Sequence, residues 1–297
     1  MKPDPNALLL EPTFLASNMR ALALSLILSG VLTATVISSQ QNIRVTMNTQ
    51  LLTLEGRALV EDYSDTIRMA VIGDLHVHDT PEAYKDLETL VTAVITEKPD
   101  LIVLLGDYTS HPDAVNDLNL HRQKIAERLE PLTKRPVAAV LGNYETWSDA
   151  LAWEKSLADT GIRVLTNRVS QLFVGASELC LRGLGDAFTQ QYRYVDFPEG
   201  CDEKLKLTMT HDPAAAFKPG ITGTVLAAHT HCGQVRLPLL GALWAPSEAP
   251  HAATCGFYAD PQRTLWVTSG AGTSILPIRL GTQSQWDLLT IKVQHSS

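Results

Sequence analysis

The sequence predicts a mixed α/β fold whose second half is rich in strands, preceded by an N-terminal hydrophobic helix. Short apolar runs of five or six residues end abruptly in polar clusters, which is typical of buried strands. Segments with helical spacing of apolar residues separate the first three runs, and strand and turn patterns dominate after Ile162. The chain shows no internal repeat and no low-complexity tract, which favours one folded domain after the N-terminal segment.

Composition narrows the class of protein. Of the 297 residues, 45% are hydrophobic, which is enough for a large core and excludes disordered and fibrous classes. The net charge of -8 argues against a nucleic-acid partner, whereas an anionic substrate stays possible because bound cations reverse charge locally. The four cysteines form no CxxC pair. We expect buried free thiols, with disulfides in an exported domain as the alternative.

The N-terminal segment carries a long uncharged stretch. Residues 21–43 contain no charged side chain, and the denser part, 21–38, approaches the length that spans a bilayer. We therefore expect residues 1–43 to contain a single-pass anchor in the cell membrane and residues 44–297 to form the folded domain. A cleaved signal peptide that exports the domain and a soluble amphipathic helix are the alternatives. The flanking charges leave the side of the membrane open.

The elements follow in order along the folded domain. The predicted buried strands are IRMAVI at 67–72, LIVLL at 101–105, VAAVL at 137–141, LKLTMT at 205–210 and TVLAA at 224–228. A first helix is expected to begin at Thr80-Pro81, since proline is favoured in the first turn. A second is expected from about Asp113 to Leu129, and a third from about Ser148 to Gly161.

Polar side chains follow each of the five strand-like runs. They are Asp74 with His76, then Asp107, Asn143 and His211, and finally His229 with His231. Because the carboxyl ends of parallel strands face the same crevice, we expect these seven side chains to converge. A single Gly-Asp pair is usually only a turn. Five such endings in order, opened by D-x-H and closed by H-x-H, predict a shared site.

The residue types in this set point to bound metal. Two carboxylates in one crevice repel each other unless cations lie between them. Asp, His and Asn without thiolates suit divalent Mn, Fe or Zn. Extended D-x-H and H-x-H segments would place alternate side chains on one side of the backbone. We expect two ions, the first held by Asp74, His76 and His231 and the second by Asn143, His211 and His229, with Asp107 bridging them.

The ordered set GDLH, GDY, GNYE, THD and AHTH resembles the motifs of the calcineurin-like metallophosphoesterases. Further segments, including HTHCGQVRLPLLGALWAPS and LWVTSGAGTSILPIRLG, look like the membrane-associated bacterial branch that includes UDP-2,3-diacylglucosamine diphosphatases. The resemblance covers roughly residues 67–293. It implies a two-sheet α/β/β/α sandwich, a dinuclear metal centre and hydrolysis of phosphoester or pyrophosphate bonds.

The sequence departs from that family at three positions. Tyr144 stands where relatives have a histidine that contacts the scissile phosphate, and a phenol with a pKa of ~10 is a reluctant proton shuttle. Ala228 replaces a glycine before H-x-H, which we expect to be harmless. Cys232 replaces another glycine; we expect a tolerated small residue, with a redox-sensitive neighbour of the metal as the alternative.

The expected function is hydrolysis of a phosphodiester or pyrophosphate bond by a metal-bridging hydroxide, on a lipid-linked substrate if the anchor serves substrate access. Asn143, Tyr144 and Asp107 are the candidate catalytic residues. One alternative is a UDP-2,3-diacylglucosamine diphosphatase of lipid A synthesis. The other is a metal- and phosphate-binding relative that lost turnover through Tyr144. Oligomeric state stays open.

Other residues are weaker candidates for a role in the site. His78 and Arg236 are candidate substrate contacts, with a surface salt bridge as the alternative for Arg236. Glu145 is expected to support the site. Asp186 falls where relatives often have an aspartate, with a turn role as the alternative, and the GAGTS segment at 270–274 is expected to form a supporting turn. We expect the remaining histidines to be solvated: His111, His121, His251 and His295.

Overall fold

The computed structural model describes residues 46–55, 66–174, 177–202, 204–237, 241–275 and 277–294. The expected anchor and the boundary between residues 43 and 44 lie outside these ranges. In the part of the chain that is described, no helix is both long and apolar enough to cross a bilayer. Two six-stranded sheets pack against each other, so the predicted two-sheet sandwich is confirmed.

The first sheet is formed by strands from both ends of the described chain. They are β1 Thr46–Glu55, β2 Thr66–Ile72, β3 Leu101–Leu104, β4 Val137–Ala139, β5 Arg163–Val164 and β14 Gln285–Gln294. Their order in the sheet is β1-β14-β2-β3-β4-β5. Strands β2 to β5 run parallel, and β14 pairs antiparallel with β2. The continuous apolar runs of β3 and β4 are explained by burial on both faces of a parallel sheet.

The second sheet is formed by the strand-rich second half. Its strands are β6 Arg168–Val174, β7 Ser177–Gly183, β8 Leu205–Met209, β9 Gly223–Ala227, β12 Gly256–Asp260 and β13 Arg263–Val267. Their order is β12-β13-β9-β8-β7-β6. The four central strands run parallel, and an antiparallel partner closes each edge. A short ribbon pairs β10 Arg236–Leu237 with β11 Gly241–Ala242.

Four α-helices lie between the strands of the first sheet. They are α1 Pro81–Thr96, α2 Leu118–Leu129, α3 Asn143–Ser148 and α4 Ala150–Asp159. The side chain of Thr80 accepts from the Ala83 backbone N–H, which confirms the predicted start of α1. Helix α2 begins later than predicted because Asp117 caps it, and α4 begins after Asp149 for the same reason. The short helix α3 was not predicted.

Two apolar layers hold the sheets and helices together. On β3, Ile102 and Leu104 face the helices, whereas Leu101 and Val103 face the second sheet, as the two-residue period of a strand requires. The outer face of the second sheet is covered by 3-10 turns, Pro213–Phe217 among them, where the resemblance implied helices. In this two-sheet arrangement, the five predicted strand runs all end at one rim of the sandwich.

The cysteines form two disulfides, Cys180–Cys201 and Cys232–Cys255, so the expectation of free thiols is wrong. Their Cα atoms are 5.9 and 4.6 Å apart, within the range that a disulfide spans. The partners are 21 and 23 residues apart in sequence, and only the packing of the second sheet brings them together. Cys232 is therefore a cross-link beside His231 rather than a tolerated small residue.

Candidate metal centre

The backbone of the loops that carry the predicted ligands is left-handed at several ligand positions and is not extended. Five ligand residues have left-handed backbone conformations, with φ between 44° and 67°: Asp74, His76, Asp107, His229 and His231. The expected extended D-x-H and H-x-H segments are therefore wrong. Hydrogen bonds that continue past the strand ends, such as the 2.9 Å bond from the His76 N–H to the Asp107 carbonyl, hold this shape. Each such residue costs on the order of 1 kcal/mol, and such strain clusters at functional sites.

The first group of candidate ligands is Asp74, His76 and His231, all buried. The Nε2 atoms of the two histidines are 3.0 Å apart. Asp74 Oδ1 accepts the His229 backbone N–H, and Asp74 Oδ2 has no hydrogen-bond partner. A buried carboxylate oxygen without a partner is costly, so this group lacks a positive charge that a cation would supply.

The second group is Asp107, His211 and His229, also buried, with Asn143 beside it. His211 Nε2 lies 3.1 Å from Asn143 Oδ1 and 3.1 Å from His229 Nδ1. His229 Nε2 lies 2.6 Å from the Pro246 carbonyl, which only accepts, so this ring donates there and Nδ1 carries a lone pair. His211 Nδ1 donates in the same way to the Leu105 carbonyl.

Asp107 lies between the two groups, as its predicted bridging role requires. Its Oδ2 atom is 3.6 Å from His76 Nε2 and 3.4 Å from His211 Nε2. Its Oδ1 atom accepts the Tyr144 backbone N–H at 3.0 Å. One carboxylate oxygen is thereby fixed by the backbone, and the other faces both groups.

The donor atoms fit a pair of divalent cations. Around His211 Nε2, the acceptors Asp107 Oδ2, Asn143 Oδ1 and His229 Nδ1 can share at most one proton, whereas a cation satisfies all of them. At 3.0 and 3.1 Å, the two nitrogen pairs are close enough for both members of each pair to bind one ion. With no thiolate in either group, Mn, Fe and Zn fit the set.

Burial and neighbouring charges set the protonation of these groups. Burial lowers the pKa of His76 to about 4 and raises that of Asp74 to about 7. Burial disfavours charge on His211 as well, but the Asp107 carboxylate outweighs it and holds the pKa of His211 well above its usual value. A metal ion competes with that proton for the same nitrogen.

Glu145 joins two of the ligand loops, which confirms the supporting role expected for it. Its buried carboxylate accepts the backbone N–H groups of Asp107 at 2.8 Å, Gly142 at 2.9 Å and Tyr108 at 2.8 Å. A side chain on Gly142 would clash with Asp107 Oδ1, so only glycine permits this close approach. Burial and the charge of Asp107 raise the pKa of Glu145 to about 7.

The GAGTS segment forms the supporting turn that was expected. The Gly272 N–H donates to the Asp74 carbonyl at 2.6 Å. Gly270 has a φ of 76°, and a Cβ there would lie 2.6 Å from the Asp74 Cβ. Ser274 Oγ lies 3.0 Å from the Tyr144 hydroxyl, and the Tyr144 ring packs edge-on against His76 at 4.7 Å.

Arg279 is a site residue that sequence reasoning missed. Its guanidinium lies 3.2 Å from His231 Nδ1 and donates to the carbonyls of Ser269 at 2.7 Å and Gly270 at 3.0 Å. Burial lowers its pKa to about 10, and the guanidinium keeps its charge near neutral pH. Its position in the segment LPIRLG, shortly beyond the turn, was the available signal.

The weaker candidates differ in burial and in their hydrogen-bond partners. His78 is exposed, and Arg236 is partly buried on β10. Asp186 has the turn role, one of the two considered for it, and accepts the Thr189 N–H at 2.9 Å. The expectation of a solvated His121 is wrong, because it is buried against the Tyr84 hydroxyl and the Val77 carbonyl. His111 and His251 are exposed, and His295 lies outside the described residues.

Comparison with known proteins agrees with this fold. The sequence model of the family described as calcineurin-like phosphoesterase matches residues 67–233, more than half of the chain. The chain therefore belongs to the calcineurin-like phosphoesterase family, whose members are hydrolases that use divalent metals.

Two relatives match over most of their length. Phosphodiesterase YaeI of Escherichia coli (strain K12) is 28% identical over 79% of this chain and 85% of its own length. The uncharacterized metallophosphoesterase YkuE of Bacillus subtilis (strain 168) is 26% identical over 79% and 82%. Among solved structures, a 5'-nucleotidase precursor from Thermus thermophilus matches with a TM-score of 0.46 and 14% identity, covering 76% of this chain and 55% of that one.

Proposed function

We propose that this protein is a phosphodiesterase with two divalent ions, one held by Asp74, His76 and His231 and the other by Asn143, His211 and His229. Asp107 would bridge the two. The observation that carries this proposal is the position of Asp107 Oδ2, 3.6 and 3.4 Å from nitrogen atoms of the two groups. The name of the Escherichia coli relative supports a phosphodiester as the substrate.

When bound, such an ion pair supplies charge to the phosphoryl oxygens and lowers the pKa of water, so that a nucleophile forms near neutral pH. The residues of this chain hold that arrangement rigid. Glu145 ties the Asp107 loop to the start of α3, and the carbonyls of Leu105 and Pro246 fix the ring orientations of His211 and His229. Catalytic groups that are already in place need no reorganisation during the reaction.

Tyr144 shapes the choice of leaving group. Burial raises the pKa of its phenol above the ordinary value, and its hydroxyl pairs with Ser274. The phenol therefore keeps its proton near neutral pH and can donate a hydrogen bond without shuttling protons. Since a general acid adds ~10²–10⁴-fold and matters most for poor leaving groups, we propose a substrate whose leaving group needs little protonation.

We also propose that the domain works in an oxidising compartment, attached to the cell membrane through residues 1–43. The two disulfides support this, because such bonds persist outside the reducing cytosol. A membrane location would give access to a lipid-linked phosphodiester or pyrophosphate. UDP-2,3-diacylglucosamine is the pyrophosphate to test first.

The test is an activity screen of the metal-reconstituted protein on an aryl phosphodiester, an aryl phosphomonoester and UDP-2,3-diacylglucosamine. We expect hydrolysis of the aryl phosphodiester, dependent on added Mn, Fe or Zn. If the loaded protein hydrolyses none of them while Tyr144→His does, the protein is a metal- and phosphate-binding relative. Preference for UDP-2,3-diacylglucosamine would identify a diphosphatase.

A further inference from the structure

A row of aromatic rings borders the candidate metal centre, and two of its members have no role in the proposed reaction. Starting at His229 of the second group, the row continues through Phe188 at 4.7 Å and Trp147 at 6.3 Å. It then passes through Tyr144 at 5.2 Å and ends on His76 of the first group at 4.7 Å. We call these five residues the aromatic wall.

Two adjacent rings of the wall are exposed. Trp147 is 48% and Phe188 45% exposed, although both are large apolar side chains at the edge of a buried polar site. Within the described residues, each cation–π contact goes to a ring outside the wall. No Lys or Arg of the described residues therefore stacks on these two rings, although His111 packs against Trp147 at 5.8 Å, and the exposed parts of both rings leave apolar surface in water beside the candidate ligands.

Local structure holds both rings in place. Trp147 lies four residues after the candidate ligand Asn143 on α3, and residues four apart share one face of a helix. Phe188 lies in the turn organised by Asp186, whose carboxylate accepts the N–H groups of Phe188 at 3.3 Å and Thr189 at 2.9 Å. In this turn, the ring of Phe188 packs against the ring of His229. The wall is thus positioned by the same elements that position the ligands.

We propose that Trp147 and Phe188 determine specificity by binding a planar, uncharged aromatic group carried by the substrate phosphate. The inference rests on the proposed function, because the wall begins and ends on ligands of the two ion sites. A phosphate held between those sites brings its ester substituent against the wall. The ring is either an aryl group on the ester oxygen or a base carried through a sugar.

The geometry favours a flat ring over an acyl chain. The planes of Trp147 and Phe188 are inclined by 64°, so a ring stacked on one meets the other nearly edge-on, an arrangement that aromatic groups prefer. A planar ring also loses little conformational freedom on binding, whereas a flexible chain loses several rotatable bonds. Aromatic stacking adds to the apolar contact that either occupant would make.

The experiment measures inhibition of aryl phosphodiester hydrolysis by phosphonates that share one headgroup: methyl-, phenyl-, cyclohexyl- and octylphosphonate. The parent enzyme should bind phenylphosphonate about tenfold more tightly than the methyl or cyclohexyl compound. Trp147→Ala and Phe188→Ala should each remove most of that preference, with methylphosphonate binding and metal content unchanged. Trp147→Phe should retain part of it.

A further pair of ligands and a control variant make the test more specific. Adenosine 5'-monophosphate against ribose 5-phosphate shows whether the ring arrives through a sugar, and phenylphosphonate shows whether it is bound directly. Phe173→Ala is the matched control, since Phe173 is an exposed phenylalanine on the edge strand β6. That variant should behave as the parent in every arm.

Four results would overturn the inference. Equal binding of phenyl- and cyclohexylphosphonate means that the wall recognises only bulk, and a larger gain for octylphosphonate that both alanine variants abolish means that it binds an acyl chain. If the parent enzyme hydrolyses the aryl phosphodiester but shows no preference among the phosphonates, the inference is wrong and the proposed phosphodiesterase function still stands. A metal-loaded parent that neither hydrolyses the diester nor binds any phosphonate removes the proposed function, and the inference with it.

Discussion

Asp107 links both ligand groups to the backbone of helix α3. It faces nitrogen atoms of both ligand groups through one oxygen and accepts the Tyr144 N–H through the other. Burial alone would raise its pKa, but the His211 imidazole and its hydrogen bond hold that pKa below the usual range. The carboxylate therefore stays charged near neutral pH, which is what a bridge between two cations needs.

Replacing Asp107 by Asn should release at least one ion and lower turnover by a factor of about 10² or more, because the charge between the cations disappears. Metal analysis of the purified protein and aryl phosphodiester turnover measure this. Asp159→Asn is the control, since Asp159 is an exposed carboxylate paired with Lys155. An Asp107→Asn variant that is fully loaded and active would refute the bridge.

Tyr144→Phe should keep both ions, because the Tyr144 hydroxyl contacts Ser274 and not a ligand. Since burial holds the pKa of the phenol above its usual value, it stays protonated from neutral pH to about 9, and its titration cannot shape activity in that range. The pH–rate profiles of the parent and Tyr144→Phe should therefore have the same form, with a lower rate in the variant. Loss of an ion in Tyr144→Phe would make Tyr144 a ligand.

At the level of secondary structure, Glu145 connects helix α3 to the loop after β3. The Glu145 carboxylate accepts hydrogen bonds from three backbone N–H groups of two different loops, at distances of 2.8 to 2.9 Å. Such bonds satisfy donors that the strand ends leave unpaired. Helix α3 is only six residues long, so this anchor replaces the stability that a longer helix would supply.

Glu145→Gln should destabilise the fold by about 2–4 kcal/mol, because an amide N–H₂ would face a backbone N–H where a carboxylate oxygen now accepts. Thermal unfolding of the apo- and metal-loaded proteins measures the loss. Glu127→Gln, at an exposed position of α2, should change stability by no more than about 0.5 kcal/mol. Equal melting temperatures for the two variants would remove Glu145 from its supporting role.

The disulfide Cys232–Cys255 fastens the loop that carries His231. The Thr230 hydroxyl donates to the Thr254 carbonyl at 2.6 Å, so the same two loops are joined twice. The other disulfide, Cys180–Cys201, ties β7 to a turn in which no candidate ligand lies. The two cross-links close chain segments of similar length, which makes each a control for the other.

Replacing both members of either disulfide by Ser should cost about 3 kcal/mol of stability, since the segments are 21 and 23 residues long. Only the Cys232→Ser, Cys255→Ser protein should also bind metal more weakly, because its His231 loop gains freedom in the left-handed conformation that the ligand needs. Titration with metal at a temperature where both variants are folded decides this. Equal metal affinities would show that the cross-link serves stability alone.

At the scale of the whole molecule, the two sheets place all candidate ligands on one rim. Strands β2, β3 and β4 of the first sheet and β8 and β9 of the second end there, and the ligands follow those ends. Both sheets and the layer between them are formed by residues from 46 onward. The described part of the chain thus contains the core and the candidate site together.

Deleting residues 1–43 should therefore leave a folded, soluble, metal-loaded domain with the activity of the full chain on a small aryl phosphodiester. Fractionation of the full chain and of the truncated form tests the anchor separately. Full-length, uncleaved protein that stays entirely in the soluble fraction would contradict the anchor. A truncated protein that cannot fold would place part of the core before residue 44.

The sequence by itself determined the buried strands, the start of α1, and the set of residues that converge, because period and residue type are local properties of the chain. His76 and His231 are 155 residues apart, and the chain order of the motifs was enough to pair them. The left-handed loops, the role of Arg279, the two disulfides, the burial of His121 and the aromatic wall were decided by tertiary structure. Each of these depends on hydrogen bonds or packing between segments distant in sequence, and the free energy that holds such strained or buried groups exists only after the two sheets have packed.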